Sequence, residues 1–159
     1  MTNNPRYALG TEANRIFMAS ETYELLKFGK GFPAPNGGSG WLNADGTVGL
    51  AYTTDWNGKP VVTDRMHWTL AESLNTSATL YAATGEEMYA NWYATFAQYV
   101  DEHVIDHEGG SWFHQLDKNN HVIGTVWPGK SDLYHAFQST LIPFLDPAVS
   151  IATAVKNAA

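Results

Sequence analysis

The order of helical and hairpin segments along the chain is the feature that most limits what it can fold into. Apolar residues at helical spacing predict four helices, at about residues 11–28, 65–83, 86–105 and 132–142, with a further helical tail after residue 147. Short strand-like segments predict β-hairpins at residues 50–63 and 112–126. Because these strands are short and lie between helices, they cannot form a layered sheet. The order predicts an all-α fold of paired helices, an α/α toroid, with short β-hairpins in the connecting loops.

Residues that favour turns and helix caps mark the ends of these segments. Asn57-Gly58 is a strong signal for a two-residue hairpin turn. Asp64 and Ser131 are the predicted N-caps of the second and fourth helices. Residues 31–47 are rich in Gly, Pro and Asn and predict a long loop between the first helix and the first hairpin.

Composition excludes several classes of function. With 159 residues, 44% of them hydrophobic, the chain can bury a core, and we expect residues 1–159 to form one domain. Its net charge is −7 and its nine Lys and Arg are scattered, so no nucleic-acid partner is expected. Without cysteine there are no disulfides and no thiolate catalysis. No apolar segment resembles a membrane span or a signal peptide, so we expect no membrane partner and a cytoplasmic location.

Aromatic residues make up 13% of the chain, and six of them are Trp. Two interpretations stay open for this excess. The rings either pack a core or line a cleft in which ring faces stack on the C–H surfaces of a sugar.

Two of the six histidines lie where a helix is predicted to begin. His135 is in the first turn of the fourth helix, where free backbone N–H groups and the positive end of the helix dipole favour the neutral imidazole that a general base needs. His67 is in the first turn of the second helix, beside Trp68 and five residues before Glu72. Each is a candidate for chemistry or substrate contact. The alternative for each is a buried, hydrogen-bonded histidine.

The remaining histidine pattern gives a weaker signal. His103 and His107 are four residues apart and precede Glu108, a spacing that would place two metal ligands on one helix face. Because the helix is predicted to fray before His107 and no third ligand is implied, we expect a solvated helix end. His121 lies at a polar turn and is expected to be exposed. We therefore predict no metal ion and no cofactor.

Three blocks of sequence occur in a fixed order. The first is residues 52–62 (YTTDWNGKPVV), followed by residues 65–68 (RMHW) and Glu72. The others are residues 110–117 (GSWFHQLD) and residues 129–138 (GKSDLYHAFQ), the last followed by LIP. Together they resemble the N-acylglucosamine 2-epimerase superfamily, most closely its aldose–ketose isomerases of mannose and sulfoquinovose. The resemblance covers residues of about 48–145 well, and residues 1–47 poorly.

The resemblance implies an (α/α)6 barrel and a reaction in which a proton moves between neighbouring carbons of a monosaccharide through an enediol. On the matching block, His135 takes the role of a catalytic acid/base. Gln115 matches a position that contacts the substrate. Trp68, Glu72 and His67 are expected to line the same cavity and to bind the sugar.

One part of the family pattern is missing. The second catalytic histidine of the family lies in a Pro-Gly-His-Gly-x-Glu type of segment upstream of the first block, and nothing similar precedes Tyr52. We therefore expect the C-terminal half of the barrel, inactive or weakly active alone, so that whether the chain is an enzyme stays open. The alternatives are a sugar-binding module and an interaction remnant without catalysis. Half a barrel exposes apolar faces, which predicts a homodimer or pairing with the missing N-terminal half.

Overall fold

A computed structural model describes residues 49–54 and 60–159 of the chain. Helices make up about half of these residues: α1 (His67–Thr84), α2 (Glu87–Tyr99), α3 (Leu133–Leu141) and α4 (Ile151–Ala158). A π-helical turn (Val100–Val104) extends α2, and a 3-10 turn (Ile142–Phe144) extends α3. The predicted predominance of helix is therefore confirmed. The predicted helix at residues 11–28 and the loop at residues 31–47 lie outside the described residues.

Five short strands form two small antiparallel sheets between the helices. Strand β1 (Thr53–Thr54) pairs with β2 (Pro60–Val62) in the first predicted hairpin, whose turn lies outside the described residues. Strand β3 (Arg65–Met66) pairs with β4 (Gln115–Leu116), which pairs with β5 (Val122–Ile123). The second predicted hairpin is confirmed at its centre, and its first strand also pairs with the segment that precedes α1. This extra pairing brings the start of α1 next to the second hairpin.

The start of α1 differs from the sequence-based prediction. Because Arg65–Met66 is extended in its pairing with β4, the helix begins at His67 and has no side-chain N-cap. The predicted cap, Asp64, instead accepts a hydrogen bond of 2.6 Å from the side-chain amide of Gln115. Sheet pairing has thus replaced capping as the interaction that fixes where this helix begins.

The start of α3 is also one residue later than predicted. Asp132, and not Ser131, is the N-cap, because its carboxylate accepts the backbone N–H of His135 three residues on. Asp132 therefore caps the helix that carries His135.

Helix α1 is the central element of the described fold and packs against both α2 and α3. Every residue of the segment Leu70–Ser77 is buried, which is the pattern of a helix covered on several sides. Its Leu70 and Leu74 join a core that also includes Phe96 and Tyr99 of α2. None of the helices in the described part of the chain is long and apolar enough to cross a membrane.

Candidate active site

The strongest candidate contact is a histidine–carboxylate pair between α3 and α1. His135 Nδ1 lies 2.8 Å from Glu72 Oε1, and the two side chains are 22% and 8% exposed. The other carboxylate oxygen of Glu72 accepts a hydrogen bond of 3.4 Å from the side-chain amide of Asn75. An ionised Glu72 accepts the proton of Nδ1–H, which leaves Nε2 of a neutral His135 ring with its lone pair. Such an imidazole can act as a base.

A second histidine–carboxylate pair lies beside the first. His67 Nε2 is 3.1 Å from Asp132 Oδ2, and the His67 residue is only 2% exposed. The backbone N–H of His67 donates to the carbonyl oxygen of His114 at 3.2 Å. The ring centroids of His67 and His135 are 6.1 Å apart. Two imidazole–carboxylate pairs thus lie at the junction of α1, α3 and the segment that leads into β4.

Burial and charge act on the second pair in opposite directions. Burial lowers the pKa of His67, the charge of His114 lowers it further, and the Asp132 carboxylate opposes both without cancelling them. For Asp132, burial raises the pKa, but the hydrogen bond from the His135 N–H and the nearby His67 and His135 outweigh burial, so the pKa is lowered. At neutral pH the pair is therefore a neutral imidazole that donates to an ionised carboxylate.

Aromatic rings surround the two histidines. Trp68 lies 5.8 Å from the His135 ring, and Tyr134 contacts the same ring edge-on at 4.7 Å. On the other side, the His114 ring stacks on Trp127 at 5.3 Å with an interplanar angle of 14°. Tyr134 and Trp127 are 60% and 39% exposed, so apolar ring surface is open to solvent next to the histidines. Flat rings beside polar groups suit the binding of sugars.

The structure brings four of the five predicted site residues together: His135, Glu72, His67 and Trp68. The fifth, Gln115, is fully buried in β4. Its amide nitrogen donates to Asp64 and to the Thr125 hydroxyl, at 2.6 and 3.0 Å. Its amide oxygen accepts the backbone N–H groups of residues 126 and 127, at 3.0 and 3.4 Å. In the described structure Gln115 holds the loop that carries Trp127, and its contact with substrate stays a prediction.

Three potential metal-ligand atoms lie close together near the site. Those of His67, His114 and Asp132 lie within 4.8 Å of one another, and two His and one carboxylate form a donor set that zinc accepts. However, His67 Nε2 and Asp132 Oδ2 already form a direct contact of 3.1 Å. Nδ1 of His67 has no hydrogen-bond partner among the described residues that would fix a metal-binding tautomer. The same atoms form the imidazole–carboxylate pair described above, so the expectation of no metal ion stays a prediction.

Three further histidines, His103, His107 and His121, lie apart from the two pairs. The His103 ring packs 4.8 Å from Tyr99, whereas His107 Nε2 contacts the backbone carbonyl oxygen of Asp101 at 2.8 Å. Because the π-helical turn ends at Val104, His107 does not continue the helix face of His103. The side chain of His121 is 76% exposed at the β4–β5 turn, which confirms the predicted exposure.

Sequence reasoning missed three neighbours of the site: Asp132, His114 and Trp127. A short polar residue just before a helix was a signal for Asp132, but it was assigned to Ser131. His114 and Trp127 each lie next to a residue or motif that the sequence singled out, and no local periodicity distinguishes them. Their contacts with His67 and with one another depend on sheet pairing, which a single sequence does not show.

Comparisons with known proteins identify the family of this chain. The family profile described as N-acylglucosamine 2-epimerase (GlcNAc 2-epimerase) matches residues 20–139. A D-mannose isomerase from Pseudomonas cannabina pv. alisalensis is 47% identical over 118 residues, which are 74% of this chain and 28% of that protein. A D-mannose isomerase from Thermobifida fusca is 43% identical over 119 residues, covering 74% of this chain and 29% of that protein.

Solved structures give the same result. A crystal structure of D-mannose isomerase has a TM-score of 0.56 and 31% sequence identity, over 61% of this chain and 25% of that one. The structure of a cellobiose 2-epimerase from Spirochaeta thermophila has a TM-score of 0.53 and 22% sequence identity, over 67% of this chain and 26% of that one. At this identity the comparison shows a likeness of fold alone. The sequence matches and the structural likeness point to the same class, a family whose matched members are named as sugar isomerases and epimerases. The chain belongs to the N-acylglucosamine 2-epimerase family.

The matched segment is a small part of those relatives. The chain spans less than a third of the length of the two D-mannose isomerases. The half-barrel that the sequence resemblance predicted stays a prediction.

Proposed function

We propose that this chain is part of an aldose–ketose isomerase that acts on a mannose-like monosaccharide, with His135 as its acid/base. The observation that carries the proposal is the 2.8 Å contact between His135 Nδ1 and the buried Glu72 carboxylate. The identity of 47% to a D-mannose isomerase supports the substrate class. We retain the cytoplasmic location expected from the sequence as part of the same proposal.

The proposed chemistry uses Nε2 of His135, the ring nitrogen that does not contact Glu72. In the aldose-to-ketose direction, Nε2 removes the proton from C2 while the C1 carbonyl oxygen gains a proton, which gives an enediol. The C2 hydroxyl then loses its proton as C1 gains one, and the ketose forms. Glu72 stabilises the imidazolium that exists between the two transfers, because a carboxylate at hydrogen-bond distance favours the charged ring.

The surrounding residues would hold and orient the sugar. Trp68 and Tyr134 both contact the His135 ring and would stack on C–H faces of the substrate. His67 would border the same space, since its ring lies 6.1 Å from that of His135. Gln115 would act by fixing the loop that presents Trp127, in addition to the direct contact that the sequence resemblance implies.

The isolated chain would be inactive or weakly active in full turnover. One positioned acid or base typically contributes roughly 10²–10⁴ in rate, and the family's second catalytic histidine has no counterpart before Tyr52. The substrate contacts made by the rest of the barrel in longer relatives are missing from this segment as well. The N-terminal half of the barrel, or a second copy of this segment, would complete the site.

Sugar binding without catalysis is the second candidate function. The exposed rings of Tyr134 and Trp127 favour it, because they can bind a sugar whether or not His135 transfers a proton. An interaction remnant is the third, favoured by Leu133 and Phe137, which are 79% and 59% exposed on α3. Titration with mannose separates these two, since a remnant would bind no sugar.

The decisive test is proton exchange at C2 of mannose. The chain is incubated with mannose in D2O, and loss of the C2 proton signal is followed by NMR. The assay detects the first half of the reaction, so it does not require the second histidine. We expect slow exchange with the natural chain and at least a 10²-fold slower rate with His135→Ala, in keeping with the usual contribution of a general base.

His121→Ala is the matched control, because His121 also pairs with a carboxylate but lies at the exposed β4–β5 turn. It should exchange at the natural rate. If mannose binds equally to the natural chain and to His135→Ala, and neither exchanges the C2 proton, the isomerase proposal is wrong and a sugar-binding module is favoured.

A further inference from the structure

We propose that Asp132 is a positioning residue, which fastens the first turn of the helix carrying His135 to the buried His67. This inference rests on the proposed function for its consequence in catalysis. Its structural part, that a bridging carboxylate fixes the His135 ring, stands on geometry alone.

The two oxygens of Asp132 bind two different elements. Oδ1 accepts the backbone N–H of His135 at 3.1 Å and so caps α3. Oδ2 lies 3.1 Å from Nε2 of His67, the first residue of α1. A cap needs one oxygen, and here the second one ties the capped helix to its neighbour.

The other end of this bridge is rigid. His67 is 2% exposed, and its backbone N–H is held by the carbonyl oxygen of His114 at 3.2 Å. Its ring contacts the His114 ring edge-on at 4.6 Å. His67 therefore cannot follow a displacement of α3, so the contact with Asp132 holds α3 in place.

Both fixed points of His135 originate on the same helix. Helix α1 holds the backbone of His135 through His67 and Asp132, and it holds the ring through Glu72, five residues after His67. One contact sets the position of the first turn of α3, and the other sets the rotation of the ring. Together they direct Nε2, and a displacement of about 1 Å at a reacting atom can reduce a rate by roughly 10²-fold.

The contribution of Asp132 is mainly geometric. Its side chain is 47% exposed, so water screens its charge, whereas its two hydrogen bonds fix distances between elements. Substitutions that preserve both bonds should therefore be tolerated, and those that keep the cap but break the bridge should not.

Three substitutions separate the bridge from the cap. Asp132→Asn caps the helix through its amide oxygen, and its amide nitrogen can donate to Nε2 of His67 when the His67 ring proton moves to Nδ1, which has no partner among the described residues. Asp132→Ser also caps well, but its single short hydroxyl cannot extend to His67 as well. Asp132→Ala removes both contacts. Asp117→Ser is the control, since Asp117 likewise binds a backbone N–H and an imidazole, those of His121, at the exposed β4–β5 turn.

The first readout does not depend on activity. In ¹H–¹⁵N NMR of the histidine rings, we expect the His135 ring signals to shift and broaden in Asp132→Ser and Asp132→Ala. They should stay in place in Asp132→Asn and Asp117→Ser. The second readout is the C2 exchange rate with mannose, where we expect kcat to fall about 10-fold or more in the Ser variant, with KM within about twofold.

If Asp132→Ser keeps the His135 ring signals and the C2 exchange rate of the natural chain, the proposal is wrong, because the cap alone would then suffice. Loss of both in Asp132→Asn would overturn it too, since the charge and not the bridge would matter. If the ring signals change as expected while no variant and not even the natural chain exchanges the C2 proton, the positioning role holds and the isomerase proposal fails.

Discussion

Glu72 is the residue whose environment most needs a chemical explanation. It lies in the middle of a buried helical segment, with its side chain 8% exposed. An ionised carboxylate in such a place is costly unless it is paired and hydrogen-bonded. Asn75 and His135 supply those contacts. Because an apolar residue would fill the same position at lower cost, a role in orienting His135 accounts for the carboxylate.

Glu72→Gln tests this role at constant size. The amide oxygen can still accept from Nδ1–H of His135, but the negative charge that stabilises the imidazolium is lost. We expect the C2 exchange rate to fall by roughly 10²-fold, at the lower end of what a general base contributes. Glu102→Gln is the control, since Glu102 is exposed and its neighbour His103 lies apart from the site. Equal rates in Glu72→Gln and the natural chain would contradict the role.

His67 predicts how stability depends on pH. Burial, the charge of His114 and the weaker opposing effect of Asp132 leave its folded-state pKa below the usual value of about 6.5. Between the lowered pKa and about pH 6.5 the unfolded chain binds more protons at this position than the folded protein, so the free energy of unfolding falls as pH falls. Stability from the neutral ring is fully present above about pH 6.5 and is lost as pH falls through the folded pKa.

Urea unfolding at a series of pH values from about 7.5 to 5 measures this contribution. We expect His67→Gln to flatten the dependence of the unfolding free energy on pH, whatever its effect on stability at pH 7.5. His121→Gln should leave the slope unchanged, because His121 is exposed. Parallel slopes for His67→Gln and the natural chain would show that His67 does not titrate differently on folding.

Helix α1 is the element that organises the site. It begins where β3 pairs with β4, which places His67 at its first position, and its second turn carries Glu72. Two buried serines are satisfied within the helix, since the Ser73 and Ser77 hydroxyls donate to carbonyl oxygens one turn earlier. The helix therefore combines core packing with the two contacts that fix α3.

The end of α1 gives a test of the fold that is independent of function. Gly85 terminates the helix in the left-handed conformation at φ 70°, and a Cβ built there meets nothing within 4 Å. Gly85→Ala should therefore cost about 1 kcal/mol of stability through backbone strain alone. Gly85→Asn should cost less, because asparagine tolerates this conformation. Thermal unfolding of both variants measures the difference, and equal losses would contradict the assignment of strain.

At the scale of the whole molecule, α3 and the turn after it expose several large apolar side chains. Leu133, Tyr134, Phe137 and Phe144 are 79%, 60%, 59% and 84% exposed. The chain also spans less than a third of the two D-mannose isomerases that it matches. Apolar surface of this kind commonly marks an interface in a soluble protein. The predicted homodimer, or pairing with an N-terminal half, would cover it.

Light scattering with sedimentation tests the dimer. We expect a mass of two chains at micromolar concentrations, and Phe137→Glu should shift the equilibrium towards the monomer because it places a charge in the contact. Thr95→Glu is the matched control, since Thr95 is an exposed threonine on a different helix, α2. A monodisperse monomer across this range would contradict the prediction.

The type and order of the described helices follow from local patterns in the chain. Helical spacing located α1, α2 and α3, and Gly85 marked the end of α1 because glycine adopts the left-handed conformation without strain. The sequence also identified four candidate site residues, because three blocks resemble one family in order and spacing. They are His135, Glu72, His67 and Trp68. These are properties of residues close together in the chain.

Long-range packing brings these residues next to one another. The Glu72–His135 and His67–Asp132 contacts join residues that are 63 and 65 positions apart in the chain. Neither local propensity nor spacing determines such contacts, because they depend on how β3 pairs with β4 and how α1 packs against α3. The same packing buried Gln115 and moved the N-cap of α3 to Asp132. Residue types and local spacing therefore predict which side chains could form a site, whereas the distances between those side chains depend on long-range packing.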